Sequence, residues 1–376
     1  MMDKPVFIVN QARSGSTMLW KFFRLIPGVT AFFEPDHPEL LQGVRFGYGP
    51  HERHYGVKSY FDEYHHLDGL VRYYKPSFAL RRFYVAETES YDDFKEYILY
   101  LLRSARGINV LKFNRCSFRI GWLRKNFPDA RVVHFHRNVR DQWRSSLRQY
   151  VGDVYQDLNA DPSSLRTSCD NLISVFPFLS VTMVRHPYQR CYFLWRLAKI
   201  FGESYSDVSI SYDEWIRRPR EEMKALLEKL HIQADLEDLV KRNPIVKVES
   251  TLTNREGLSD SGFAELEGEC EAVLKEYGIT VEFKAKDFES LRMTTAKYRG
   301  EELRALEGAT RQLQLMDEES CQRLMQVYEK ENVIKELVRE VEVLRKASEE
   351  RLRLINELTT EIEELREEIT RIQRRH

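Results

Sequence analysis

The residues Arg13-Ser14-Gly15-Ser16-Thr17 lie between an apolar run, Phe7-Ile8-Val9, and a stretch in which Met18, Leu19, Phe22 and Phe23 recur at helical spacing. A strand, a tight turn of small residues and a helix are the parts of an anion seat. The first amides of a helix have no intrahelical partner, and the helix macrodipole adds partial positive charge there. Gly15 lets the backbone approach a ligand closely, Ser14, Ser16 and Thr17 offer hydroxyls, and Arg13 offers a fixed charge. A phosphate is the natural guest; an ordinary Ser/Thr cap on a core helix is the competing reading. The turn departs from the Walker A loop, G-x-x-x-x-G-K-[ST]. Ser16 follows Gly15, Asn10 stands where the first glycine would be, and the cation precedes the glycine, which argues against ATP hydrolysis.

A second cationic segment begins after Ala130. Val132, Val133 and Phe135 form a short strand signal, Arg137 stands at its end, and Asp141 is placed to open the helix that follows. Ligands of open α/β sheets gather at the carboxyl ends of strands, so two cation-bearing strand ends can face one anionic ligand. With Asp141 as the start, Ser145 lies about one helical turn in and can join Arg137 on a phosphate. Alternatively, Arg137, Arg140 and Arg144 form a solvated helix face paired with Asp141.

Together the two segments resemble the sulfotransferase superfamily, and Glu34-Pro35 brings the chain closest to its carbohydrate branch. The resemblance implies sulfuryl transfer from 3'-phosphoadenosine 5'-phosphosulfate (PAPS), leaving 3',5'-adenosine bisphosphate, with no metal. Arg13 to Thr17 are similar to the family's 5'-phosphosulfate loop, and Arg137 with Ser145 to its 3'-phosphate pair. "INVLKFNR" and "VSISYDEWIRRPREEMKALLEKLHI" extend the likeness loosely over roughly the first 280 residues. Arg255, in an apparent loop, resembles a late contact to the 3'-phosphate. Arg185 follows another apolar run and competes with Arg137, but Phe193, eight residues on, has no hydroxyl.

An alcohol acceptor needs a base. The small-molecule branch of the family uses a histidine in Lys-x-His; here the run is Lys112-Phe113-Asn114, and asparagine cannot serve. Glu34 resembles the proposed base of the carbohydrate branch. It follows Ala31, Phe32 and Phe33, so burial is expected to raise its pKa toward a useful range. His37 is the rival base. Lys112, at the end of Asn109-Val110-Leu111, is placed to touch the transferring group, as Arg13 is to stabilise charge on the sulfonate and the departing phosphate. His134 and His136 are expected to pack or hydrogen-bond.

Between Gly43 and Val85, Tyr48, Tyr55, Tyr60, Phe61, Tyr64, Tyr73, Tyr74, Phe83 and Tyr84 alternate with Arg, Lys and His. Such a stretch suits a sugar or anionic glycan, or a lid packed over the core. With 58 basic against 59 acidic residues, the chain lacks the basic excess that nucleic acid prefers. No apolar run is long enough for a membrane span, the first strand leaves no room for a signal peptide, and the five cysteines fit reduced thiols. A cytoplasmic protein is expected.

These residues must be positioned by an α/β core. Val6 to Val9, Val110 to Lys112, Val132 to Phe135, Val181 to Val184 and Val208 to Tyr212 read as strands among longer helical patterns, predicting a P-loop-like parallel sheet flanked by helices over residues 1–300. Residues 301–376 read as a long coiled-coil helix: Leu337, Val341, Leu344, Ile355, Leu358, Ile362, Leu365, Ile369 and Ile372 keep heptad spacing, interrupted at Ser348 and Arg351. A homo-oligomer is expected through it. The function expected is transfer of a sulfuryl group from PAPS to a hydroxyl of a carbohydrate or glycolipid acceptor. A nucleotide-dependent kinase and an inactive sulfotransferase-like scaffold are the alternatives.

Overall fold

A computed structural model describes residues 4–46, 57, 59–147, 163–242, 258–290, 340–358, 360–361 and 366–367. The chain divides into Met1–Gln314 and Leu315–His376. In the first unit, five parallel strands form one sheet in the order β2-β3-β1-β4-β5: β1 Val6–Asn10, β2 Val29–Phe33, β3 Ile108–Phe113, β4 Arg131–His136 and β5 Val208–Ser211. β1 is buried throughout, as an apolar strand between two neighbours requires. It pairs Phe7 with Leu111 on one side and with Val132 on the other.

Helices fill the crossovers. They are α1 Ser16–Arg24, α2 Leu40–Phe46, α3 Leu70–Tyr73, α4 Ser77–Leu80, α5 Asp92–Ser104, α6 Ile120–Asn126, α7 Val139–Leu147 and α8 Ser163–Leu172. Then come α9 Pro187–Tyr205, α10 Tyr212–Arg217, α11 Pro219–Leu230, α12 Leu236–Arg242 and α13 Asp260–Glu276. α1 buries Met18, Leu19, Trp20, Phe22 and Phe23, and the Trp20 indole donates to the Ala31 carbonyl at 2.8 Å, tying the helix to β2. α9 packs along β4: a Cβ at Gly202 would collide with the His134 ring, so only glycine fits there. His134 also bonds Ser209 Oγ at 3.0 Å and stacks on His136, and burial pushes the two imidazoles down to about 3 and about 4. Both are packing groups, as expected.

Two sequence expectations change. Val181–Met183 is a single 3-10 turn capped by Ser180, not a strand; Thr182 and Met183 face solvent, leaving too little apolar surface for a sheet. The fifth strand is β2, which sets Glu34 at a strand end. α7 starts at Val139 rather than Asp141, because the Asn138 side chain accepts from the amides of Arg140 and Asp141. Tyr60, Phe61, Tyr64, Tyr74 and Phe83 are buried, so this part of the aromatic segment is packed cover; Tyr48 and Tyr55 lie outside the described residues.

In the second unit residues 340–358 are helical. Val341, Leu344, Ile355 and Leu358 are each more than half exposed, with Arg345–Glu349 and Arg353–Glu357 pairs alongside. Leu337, Ile362, Leu365, Ile369 and Ile372 lie outside the described residues. Among the described residues no helix is long and apolar enough to cross a membrane.

Candidate active site

The strand order places the sequence-identified groups along one edge of the sheet. Glu34 follows β2, Asn114 and Arg115 follow β3, the Arg13 turn follows β1, Arg137 follows β4 and Tyr212 follows β5. Chain connections diverge on either side of β1, which makes its carboxyl end the crevice of the sheet.

The turn after β1 is held in an unusual shape. Arg13 has φ 66° and Gly15 φ 90°, and a Cβ on Gly15 would come within 2.5 Å of the Tyr212 ring. Gly15 is the N-cap of α1 with no side-chain cap, and the first turn carries no acidic residue. The competing reading, a Ser/Thr cap, is therefore not what forms. Ser14 Oγ is buried without a hydrogen-bond partner. An uncapped helix start with a buried unpaired hydroxyl beside it fits an anion.

The second segment meets the first. Arg13 donates through Nε and Nη2 to the Ser145 carbonyl at 3.1 and 2.9 Å. Arg137 lays its guanidinium 4.7 Å from the centre of the Tyr212 ring, the ring that covers Gly15, and its Nε is buried with no hydrogen-bond partner. Ser145, Arg13, Gly15, Tyr212 and Arg137 thus form one continuous patch. Arg140 and Arg144 turn elsewhere, to Glu267 at 2.8 Å and Asp141 at 3.5 Å. The rival cation Arg185 is exposed and pairs with Glu265 and Glu269 on α13. Arg255 lies outside the described residues.

Glu34 and Lys112 form a buried pair. Lys112 Nζ lies 2.7 Å from Glu34 Oε1 and 4.4 Å from the centre of the Phe33 ring; Asn114 Nδ2 donates to the same carboxylate oxygen, and Arg115 approaches Oε2 at 3.7 Å. Burial pushes the Glu34 carboxyl up, but Lys112, His37 and Arg115 more than offset it and hold the group below its ordinary value. The expected rise is reversed because a lysine is buried with the carboxylate. Burial lowers the His37 pKa, and its Nδ1 accepts from the Glu39 amide at 3.1 Å.

A cavity of about 240 Å³ opens beside the turn. Arg13, Asn114 and Arg115 line it together with residues of α4, α7, α8 and α9; Glu34, Lys112 and Arg137 are not in its wall. Among the described lining residues there is no carboxylate or imidazole. Arg13 is the residue shared by the cavity and the anion patch. Several positions were not singled out from sequence. Gln142 Nε2 donates to the Ala12 carbonyl at 2.9 Å, Gln11 Nε2 to the Leu194 carbonyl at 3.0 Å, and Asn10 Nδ2 to Asn114, lacing the turn to its neighbours. Only Asn10, a polar residue closing an apolar strand, left a local signal.

A model of the sulfotransferase family matches residues 5–236, the span that contains every element of this patch. The chain belongs to the sulfotransferase family. No curated protein matches it. Among solved structures, sulfotransferase STF9 from Mycobacterium avium is similar at 16% identity over 76% of this chain and 79% of its own, with a TM-score of 0.41. The sulfotransferase from Alicyclobacillus acidocaldarius is similar at 14% identity over 73% and 96%, TM-score 0.36. The sulfotransferase domain of the Synechococcus PCC 7002 olefin synthase is similar at 16% over 78% and 95%, TM-score 0.33. For a sulfotransferase donor, the patch offers cations at two strand ends and unpaired donors at Ser14 and Arg137, which suits a ligand with two separated phosphate groups. Among the described residues no three His, Cys, Asp or Glu side chains converge as a metal site would need.

Proposed function

We propose that this chain transfers a sulfuryl group from PAPS to a hydroxyl of a carbohydrate or glycolipid acceptor. The observation that carries the reading is the continuous patch from Arg13 through Gly15 and Tyr212 to Arg137. PAPS supplies the sulfuryl group and a phosphate leaving group. The first amides of α1, with Ser14, Ser16, Thr17 and Arg13, hold the 5' end; Arg137 and Ser145 hold the 3'-phosphate. Arg13 faces the developing charge as the bridging S–O bond breaks and the electron pair passes to the leaving phosphate.

The acceptor sits in the cavity beside Arg13. Its O–H bond breaks as the new S–O bond forms, and the proton passes to Glu34 Oε2, which lies behind the cavity wall at Asn114 and which Arg115 approaches only at 3.7 Å. Asn114 and Lys112 fix the other oxygen, so the carboxylate is ionised and held at one orientation. Support for a carbohydrate-type acceptor rests on Glu34-Pro35 and on the missing histidine at Asn114.

Thermal unfolding with two ligands tests the reading. 3',5'-Adenosine bisphosphate without metal should raise Tm, by about 2.7 kcal/mol of stabilisation at a hundredfold excess over Kd, while ATP with magnesium should not match it. Protection by ATP and magnesium alone would point instead to a kinase.

A further inference from the structure

We infer that the acceptor is an amphiphilic alcohol whose apolar body fills the cavity beside Arg13, so that a lipid-bearing acceptor, not a free sugar, is the substrate class. The inference rests on the sulfuryl-transfer reading and narrows its acceptor. The cavity wall carries Phe83, Phe118 and Leu194, all buried, with Leu165 half-buried and Leu80 at 36% exposure.

The polar side chains of the wall are already engaged within the protein. Gln11 donates to the Leu194 carbonyl, Gln142 to the Ala12 carbonyl, Ser117 to the Asn10 carbonyl at 3.3 Å and Ser146 to the Trp143 carbonyl at 2.6 Å. Asn114 donates to Glu34, Arg13 donates to Ser145, and Arg115 donates through Nη1 to the Asp36 carbonyl at 3.1 Å. A sugar ring carries hydroxyls around its whole rim, and each one buried against these groups would go without a partner or break an existing bond. An alkyl or aryl group asks for no partner and is favoured by the phenylalanine and leucine surface. At about 240 Å³ the cavity holds part of a molecule, below the usual range for a complete drug-sized ligand. The reacting hydroxyl would sit at the Arg13 and Asn114 end, with the apolar body against Phe83, Phe118 and Leu194.

Straight-chain primary alcohols from ethanol to octanol, with methyl β-D-glucoside as the sugar comparison, offered to the full chain with radiolabelled PAPS, test this. kcat/KM is expected to rise about fourfold per added methylene until the cavity is filled, and then level off. Calorimetric titration of the same alcohols onto chain saturated with 3',5'-adenosine bisphosphate should give the same order of affinities, so slow turnover does not hide the result. Leu80→Glu, at an exposed position, should weaken octanol at least tenfold and flatten the chain-length dependence while leaving Tm and bisphosphate affinity unchanged. Ethanol and octanol of equal affinity, methyl glucoside preferred to octanol, or a dependence untouched by Leu80→Glu, would overturn the amphiphile and leave sulfuryl transfer standing. Absence of bisphosphate binding would overturn both.

Discussion

Arg13→Ala should lower the rate of sulfuryl transfer by about 100- to 1,000-fold, the cost of removing one preorganised donor from a developing anion. Among the described residues Arg13 is the one side chain found both in the wall of the cavity and on the anion patch. In the proposed reaction its loss removes the cation that faces the breaking bond, and it frees the Ser145 carbonyl that it grips twice. Lysine should not restore the rate. A guanidinium reaches the carbonyl through two fixed donors, whereas an ammonium offers a single point charge on a flexible stem. Single-turnover kinetics under saturating PAPS check this by separating the chemical step from binding. A transfer rate within a few-fold of wild type would remove Arg13 from the chemistry.

Lys112→Met is expected to have the largest effect on folding. Lys112 and Glu34 side chains are 1% and 8% exposed, and removing one partner leaves a buried charge without its closest counter-ion. Such losses cost about 3–5 kcal/mol, on the order of 10 °C in Tm for a domain of this size. The double change Lys112→Met with Glu34→Gln should recover much of that, since the buried charge disappears with its partner. The effect depends on pH in a defined direction. The Glu34 carboxyl is held below its ordinary value of 4.5, so its contribution is complete above that pH and is lost as the pH falls through the lower folded value. The difference in Tm between the native chain and Lys112→Met should therefore be constant near neutrality and shrink in acid. Scanning calorimetry from pH 7 downward reads both outcomes.

The legible parts of the site were those written in local pattern. A buried apolar run ending in Arg13-Ser14-Gly15 is a strand and turn by composition alone, and Val132-Val133 leading to Arg137 is the same signal again. That these two strand ends meet follows from parallel order, because β4 lies directly beside β1. The strand β2 was missed. Its Val29 and Thr30 are only half-buried at the edge of the sheet, so the apolar run that marks an interior strand is short. Val181 to Val184 misled in the opposite way, since four residues cannot reveal whether the sheet has room for them. The expected rise of the Glu34 pKa is reversed for an electrostatic reason: Lys112 is distant in sequence and one strand away in space, and its Phe33 register partner places it against the carboxylate. The cavity was invisible because its wall is assembled from four separate helices and four loops, none distinctive alone.

The gripping of one adenylate at both ends is tested most directly by titrating two nucleotides onto two proteins. 3',5'-Adenosine bisphosphate and adenosine 5'-monophosphate share everything except the 3'-phosphate, whose proposed contact is Arg137, with its Nε buried without a hydrogen-bond partner. Arg137→Ala should weaken the bisphosphate by about 10- to 100-fold, the worth of a charge-assisted hydrogen bond, and leave the monophosphate unchanged. Equal losses for both nucleotides, or no loss for either, would contradict it.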